Sequence, residues 1–135
     1  MFIYRTIVVK IGSSTLTNAK GKLDVANLNR IVSELAQLKR KGKKIIIVSS
    51  GAIVTGSGLL KMKGKPASIP EKQAAAAVGQ SALMHEYSKA FRKYGITVAQ
   101  LLLTRNEIVH NERHMNTKHA LAKLLSLGAV PIISG

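Results

Sequence analysis

Two short apolar runs that end abruptly in glycine and hydroxyl residues constrain the fold of this chain most strongly. The first is Thr6-Ile-Val-Val-Lys-Ile-Gly-Ser-Ser-Thr15, and the second is Ile45-Ile-Ile-Val-Ser-Ser-Gly-Ala52. Short apolar runs bounded by turn residues are typical of strands that are buried in a parallel sheet. Parallel strands need crossover connections, which are usually helices, so the two runs predict an α/β fold.

The rest of the chain alternates between strand and helix patterns. We predict strands over 5–11, 44–48, 96–103 and 129–133, and loops over 12–23 and 61–69. Helices are predicted from the N-cap Asp24 to a stop at Gly42, over 52–60, from Pro70 to Tyr94, and over 116–127. Gly79, inside the third helix, indicates close packing or a kink. The element order predicts a three-layer αβα sandwich with a mainly parallel sheet.

The residues that follow the first strand are candidates for a phosphate site. Ligands of open α/β sheets bind beyond the carboxyl ends of the strands. There, Gly12 lets an anion approach the backbone, Ser13 and Ser14 offer hydroxyl donors, and Lys10 offers an ammonium group. The alternative is an ordinary strand exit, with a lysine that extends its charged end into water.

The turn after the second strand is the other candidate site. Ser50 and Gly51 lead into a helix that starts at Ala52, so free N–H groups and the positive end of the helix dipole face the same edge. A carboxylate or a phosphate fits there. The alternative is simply an N-capped helix.

Several classes of site are not supported. The segment 58–65 misses the Walker spacing by one residue, and Gly56-Ser-Gly58 lacks the third glycine of the dinucleotide motif. With no cysteine, the chain has no disulfide or thiolate metal site. His110 and His114 match no zinc motif and are interpreted as a solvated pair. We therefore expect no protein metal site.

The charge of the chain favours anionic partners. Lysine and arginine number 21 against 6 acidic residues, which gives a net charge of +15. The dense runs 39–44 and 61–65 are interpreted as solvated helix ends and loops. A basic nucleic-acid-binding module is the alternative, and a scaffold that only pairs with other subunits is a third hypothesis. Because aromatic residues make up only 4% and no recognition motif is present, nucleic acid is not the expected partner.

Taken together, these residues resemble the amino acid kinase family. The resemblance rests on four ordered blocks and extends from Thr6 to Ile133. The blocks are Val8-Val-Lys-Ile-Gly-Ser-Ser14, Val48-Ser-Ser-Gly-Ala-Ile53, Lys72-Gln-Ala-Ala-Ala-Ala-Val-Gly-Gln80 and Gln100-Leu-Leu-Leu-Thr-Arg105. The serines after Gly12 and the Ser-Ser-Gly-Ala turn are more similar to the members that act on L-glutamate than to acetylglutamate kinase or aspartokinase.

The resemblance implies ATP-dependent phosphorylation of the γ-carboxylate of L-glutamate, the first step towards proline, with Mg²⁺ as cofactor. It implies that Lys10 contacts the transferring phosphate and is catalytic, with Gly12, Ser13 and Ser14 in the ATP-phosphate loop. It also implies that Ser50 contacts glutamate, with Gly51 and Ala52 in the same loop. A cytoplasmic homo-oligomer with no membrane segment is expected.

The end of the chain departs from the family pattern. Ser134-Gly135 stands where the family continues with an acidic, asparagine-rich motif, and the nucleotide-binding half does not follow. We therefore interpret 1–135 as the N-terminal, glutamate-binding part of an amino acid kinase domain. The isolated 135 residues are expected to turn over no ATP.

Overall fold

The computed structural model describes the backbone of residues 6–102 and 111–134, and the side chains of 6–102 and 116–134. Within these ranges the chain forms four strands and five helices. In chain order they are β1 (Thr6–Ile11), α1 (Ser13–Leu16), α2 (Val25–Arg40), β2 (Lys44–Ser49), α3 (Ala52–Leu59), α4 (Ile69–Arg92), β3 (Val98–Leu102), α5 (Asn111–Ser126) and β4 (Val130–Ser134).

The four strands form one sheet in the order β1-β2-β4-β3, and every pair is parallel. This confirms the predicted α/β class. The chain moves in one direction across the sheet from β1 to β3 and then steps back to β4. Since crossovers are right-handed, this reversal places α2 and α4 on one face and α5 on the other.

The core lies between the sheet and the helices α2 and α4, which cover one face of the sheet. It is built by aliphatic residues of the strands and by Leu83, Tyr87 and Phe91 of α4. Three consecutive residues of β2, 45–47, are buried, which agrees with a strand covered on both faces. On β1, by contrast, Val8 is 61% exposed and shares its face with Thr6 and Lys10.

Several helix boundaries were predicted correctly, because their signals are local. The side chain of Asp24 accepts a hydrogen bond from the Asn27 backbone N–H at 3.0 Å and caps α2. Gly42 has a φ of +87°, which glycine adopts without strain, and it follows the end of α2. The close packing predicted at Gly79 is also confirmed.

Other boundaries were wrong. The predicted loop 12–23 contains the single turn α1, which is closed by Thr17, whose backbone N–H and hydroxyl both donate to the Ser13 carbonyl. The helix predicted from Pro70 to Tyr94 begins at Ile69 and ends at Arg92. The last helix begins at Asn111 rather than at 116. The earlier start was missed because the polar residues 111–115 carry no apolar periodicity.

The start of α4 is set by a capping box that was not predicted. Ser68 Oγ accepts from the Glu71 N–H at 3.2 Å, and Glu71 Oε1 accepts from the Ser68 N–H at 3.3 Å. We expect Ser68→Ala to lower the free energy of unfolding by about 1 kcal/mol. Urea denaturation would measure this, with Ser126→Ala, near the end of α5, as the control. Equal effects of the two substitutions would contradict the capping role.

Helices α3 and α4 cross at two glycines. An added Cβ on Gly56 would lie 1.7 Å from the Ala75 carbonyl oxygen, and one on Gly79 would lie 1.6 Å from the Ala52 carbonyl oxygen. The backbones are thus in direct contact, and neither position has room for a methyl group. The crossing includes Ala52, the first residue of α3, so this end of the helix lies directly against α4.

Candidate functional site

The carboxyl ends of the four strands meet at one edge of the sheet. In the parallel register Ile11 pairs with Ser49, and Ser134 pairs with both Ser49 and Leu102. The turns that follow β1 and β2 therefore emerge side by side. The Ser50 N–H donates to the Ile11 carbonyl at 3.0 Å, which joins the second turn directly to the end of β1.

The turn before α3 presents free backbone N–H groups. Gly51 is the N-cap residue and has φ +102° and ψ 0°, a left-handed conformation that favours glycine. No side chain caps the first turn of α3. The N–H groups at the start of a helix have no partner within the helix and carry partial positive charge, so this turn can hold an anion.

A cleft of about 790 Å³ opens beside this turn. It lies between the first turns of α3, one side of α4, and the ends of β3 and β4. The lining residues are Ser13, Gly51, Ala52, Ile53, Val54, Ala76, Ala77, Gln80, Ser81, Met84, Gln100, Leu102 and Ser134. None of them is charged, although the chain carries a net charge of +15. An anion in the cleft would be held by N–H, hydroxyl and amide groups.

Three of the site residues predicted from the sequence line this cleft, namely Ser13, Gly51 and Ala52. The two turns approach closely, because an added Cβ on Gly51 would lie 3.4 Å from the Ser13 Cα. Gly12, Ser14 and Ser50 belong to the same two turns but are not lining residues. Their roles, and those of the lining residues, stay predictions.

Lys10 lies at the same edge but on the other face of the sheet. Alternation along β1 puts Ile7, Val9 and Ile11 on the core face, and puts Lys10 with the exposed Val8 on the opposite face. Lys10 does not line the cleft. A phosphate group bound by Lys10 would therefore approach the edge from the face opposite α4, and would reach the cleft across the turn at Gly12.

Sequence reasoning missed the contribution of α4 and β3 to the cleft. Gln80, Ser81 and Met84 lie on one side of α4 together with Ala76 and Ala77, at spacings of three to five residues. Gln100 reaches the cleft from β3. Gln80 and Gln100 stand in the blocks that carried the family resemblance, so their amides could have been named as candidates from the sequence.

A buried hydrogen bond lies directly behind the second turn. Ser49 Oγ and Tyr87 Oη are 2.9 Å apart, and both residues are buried. Burial raises the pKa of Tyr87 above its ordinary value, and the bond to Ser49 offsets part of this effect. The phenol therefore keeps its proton throughout the neutral pH range.

Metal ligation finds no support in the described part of the chain. No group of three or more His, Cys, Asp or Glu side chains there could hold a metal ion. His85 and His119 are exposed. His110 and the side chain of His114 lie outside the described residues, as do Thr104 and Arg105 of the fourth sequence block. Within the same limits, no helix has the length and apolar character needed to cross a bilayer.

Comparison with known proteins identifies relatives along almost the entire chain. A sequence profile of the amino acid kinase family matches residues 5–135. Glutamate 5-kinase of Moorella thermoacetica is 49% identical over 130 residues, which cover 96% of this chain and 34% of that protein. Glutamate 5-kinase of Carboxydothermus hydrogenoformans is 49% identical over 131 residues, covering 96% and 35%. Glutamate 5-kinase of Clostridium acetobutylicum is 47% identical over 128 residues, covering 95% and 48%. The chain thus spans between a third and a half of these relatives.

Proposed function

Because the chain belongs to the amino acid kinase family, we propose that it is the glutamate-binding part of a kinase that transfers the γ-phosphoryl group of ATP to the γ-carboxylate of L-glutamate. The observation that supports this most directly is the free N-terminal turn of α3, which opens into the cleft beside the end of β1. The relatives named glutamate 5-kinase share 47–49% of residues along this region.

The chemistry needs positioning more than proton transfer. The side chain of glutamate has a reference pKa of about 4.3, so its carboxylate is already ionised at neutral pH and needs no general base. A carboxylate oxygen attacks the γ-phosphorus, the acyl phosphate bond forms, and the bond to ADP breaks. The main obstacle is repulsion between the carboxylate and the triphosphate, so alignment and positive charge must lower the barrier.

The two turns divide these tasks. We assign the substrate carboxylate to the turn formed by Ser50, Gly51 and Ala52, where amide N–H groups are free. We assign the phosphates to the turn that carries Gly12, Ser13 and Ser14. Lys10 lies near the end of β1, the strand that leads into the turn at Gly12. We assign to its ammonium group the stabilisation of charge on the transferring phosphoryl group.

Mg²⁺ has no assigned ligand in the described part of this chain. The cleft presents N–H, hydroxyl and amide groups and no carboxylate, which fits an anion rather than a divalent cation. The ion would be carried by the phosphate oxygens of ATP. The proposed product places the protein at the first step towards proline. The cytoplasmic location and the homo-oligomeric state stay predictions.

Nucleic-acid binding is the alternative function, and the basic run that favours it lies away from the cleft. The basic run 39–44 spans the end of α2 and the start of β2, at the edge of the sheet opposite the cleft. The affinity for nucleic acid bound there would fall steeply with salt concentration. Such binding would leave the amide NMR signals of the turn before α3 unchanged.

Titration of the purified chain with L-glutamate tests the proposal. In amide NMR spectra we expect the signals of Gly51 and Ala52 to shift, because a carboxylate accepts from these N–H groups. L-Glutamine, which has the same length but an uncharged side chain, should bind at least about fivefold more weakly. Equal affinity for the two amino acids, or shifts confined to other parts of the chain, would exclude the proposed site.

A further inference from the structure

A chain of hydroxyl groups connects the core face of α4 to the turn before α3. Tyr87 Oη lies 2.9 Å from Ser49 Oγ, and Ser49 Oγ donates to the Ser50 carbonyl over a longer distance of 3.4 Å. Ser49 is the last residue of β2 and is 5% exposed, while Tyr87 is fully buried. Both hydroxyl groups are shielded from water, so the shorter bond constrains the two side chains that it joins.

Either hydroxyl can donate in the bond between Tyr87 and Ser49, and only one direction allows both bonds to form at once. A serine hydroxyl has one proton, and in that direction it is donated to the Ser50 carbonyl. Tyr87 is then the donor in the bond to Ser49. A buried phenol that keeps its proton at neutral pH is suited to that role.

The receiving carbonyl belongs to the peptide unit that carries the Gly51 N–H. The bond between Ser50 and Gly51 is trans, since the described chain has no cis peptide. In a trans peptide the C=O and the N–H point in opposite directions across one rigid plane. Holding the Ser50 carbonyl towards Ser49 therefore turns the Gly51 N–H away from the core. Gly51 itself is one of the residues that line the cleft.

The other side of Ser50 is also held. Its N–H donates to the Ile11 carbonyl at 3.0 Å. The next residue, Gly51, has a left-handed backbone conformation. Rotation of the Ser50–Gly51 peptide would therefore decide whether an N–H or a C=O group faces the cleft. A carbonyl in that place would repel a carboxylate.

We propose that Tyr87 is a positioning residue that acts through Ser49 to keep the Gly51 N–H directed into the cleft, where it holds the substrate carboxylate. The assignment of that ligand rests on the proposed function. The orientation of the peptide does not, because it follows from the hydroxyl chain alone.

The test compares Tyr87→Phe and Ser49→Ala with wild type, and uses Tyr94→Phe as the matched control. Tyr94 is half-buried just after the end of α4, and its ring lies 5.7 Å from the Arg40 guanidinium. The amide signal of Gly51 is recorded without ligand, and the Kd for L-glutamate is measured by titration. Urea unfolding of each variant gives the stability separately.

We expect Tyr87→Phe and Ser49→Ala each to move the Gly51 signal and to raise the Kd by roughly three- to tenfold. The double variant should bind L-glutamate no more weakly than the single variant with the higher Kd, because both substitutions break the same chain of hydroxyl groups. Ser49→Thr, which keeps a hydroxyl, should restore most of the affinity, and Tyr94→Phe should change neither quantity.

A Gly51 signal and a Kd that stay at their wild-type values in Tyr87→Phe would overturn the proposal, even if stability falls. That outcome would reduce the hydroxyl pair to a structural contact. Absence of glutamate binding in wild type would instead overturn the proposed function. The ligand-free Gly51 signal of the variants would still decide the positioning role.

Discussion

Replacing Gly56 with alanine is expected to lower the free energy of unfolding by about 3 kcal/mol. The new Cβ would lie 1.7 Å from the Ala75 carbonyl oxygen, 2.5 Å from the Ala75 carbonyl carbon and 2.8 Å from the Gly79 nitrogen. These are backbone atoms inside a helix, so they cannot turn aside as a flexible side chain can. The helices α3 and α4 must separate, and the contacts along their whole crossing weaken.

Urea denaturation of the purified chain would measure this effect. Gly79→Ala should be similarly severe, because its Cβ would lie 1.6 Å from the Ala52 carbonyl oxygen. Gly12→Ala is the matched control: its φ of −80° suits alanine, and no atom lies within 4 Å of the added Cβ. The control should change stability by less than about 0.5 kcal/mol. Tolerance of alanine at both helix positions would show that the crossing is looser than described.

Replacing Lys10 with alanine is expected to lower kcat by roughly a hundredfold, with little change in the KM for glutamate. In the proposed reaction the ammonium group stabilises charge that develops on the phosphoryl group during transfer, so its loss should raise the barrier. Lys10 does not line the cleft in which we propose that glutamate binds, so glutamate binding should be largely unaffected.

Because the chain spans about a third of the Moorella relative, the measurement uses a chimera. This chain is joined to the remaining sequence of that relative, and ADP formation is followed at varied glutamate. Lys20→Ala, an exposed lysine in the turn before α2, is the control and should retain full activity. A loss confined to the KM for glutamate would contradict the assigned role of Lys10, and so would unchanged kcat.

The sheet could be predicted from the sequence because each strand carries its own signal. The buried residues of β2 form an uninterrupted apolar run, and α2 has both a capping aspartate and a regular apolar face. The single turn α1 could not be predicted, since it depends on Thr17 donating twice to one carbonyl. The first residues of α5 carry no pattern that distinguishes a helix from a polar loop.

The candidate site was predicted in part for the same reason. Both turns follow strands, and the rule for parallel sheets brings them to one edge. What the sequence does not contain is the face on which each side chain lies. The placement of Lys10 away from the cleft, and of Gln80 and Gln100 within it, depends on the register of β1 and on the packing of α4.

The uncharged lining of the cleft has a consequence for kinetics. Lysine and arginine residues elsewhere on the chain create a long-range field that increases the rate at which anions arrive, and dissolved salt screens that field. Once an anion is bound by N–H and hydroxyl groups, its dissociation rate depends on short-range contacts that dissolved salt hardly screens. Arrival and departure thus respond differently to ionic strength. Discrimination among anions is left to the shape of the cleft and the direction of its dipoles.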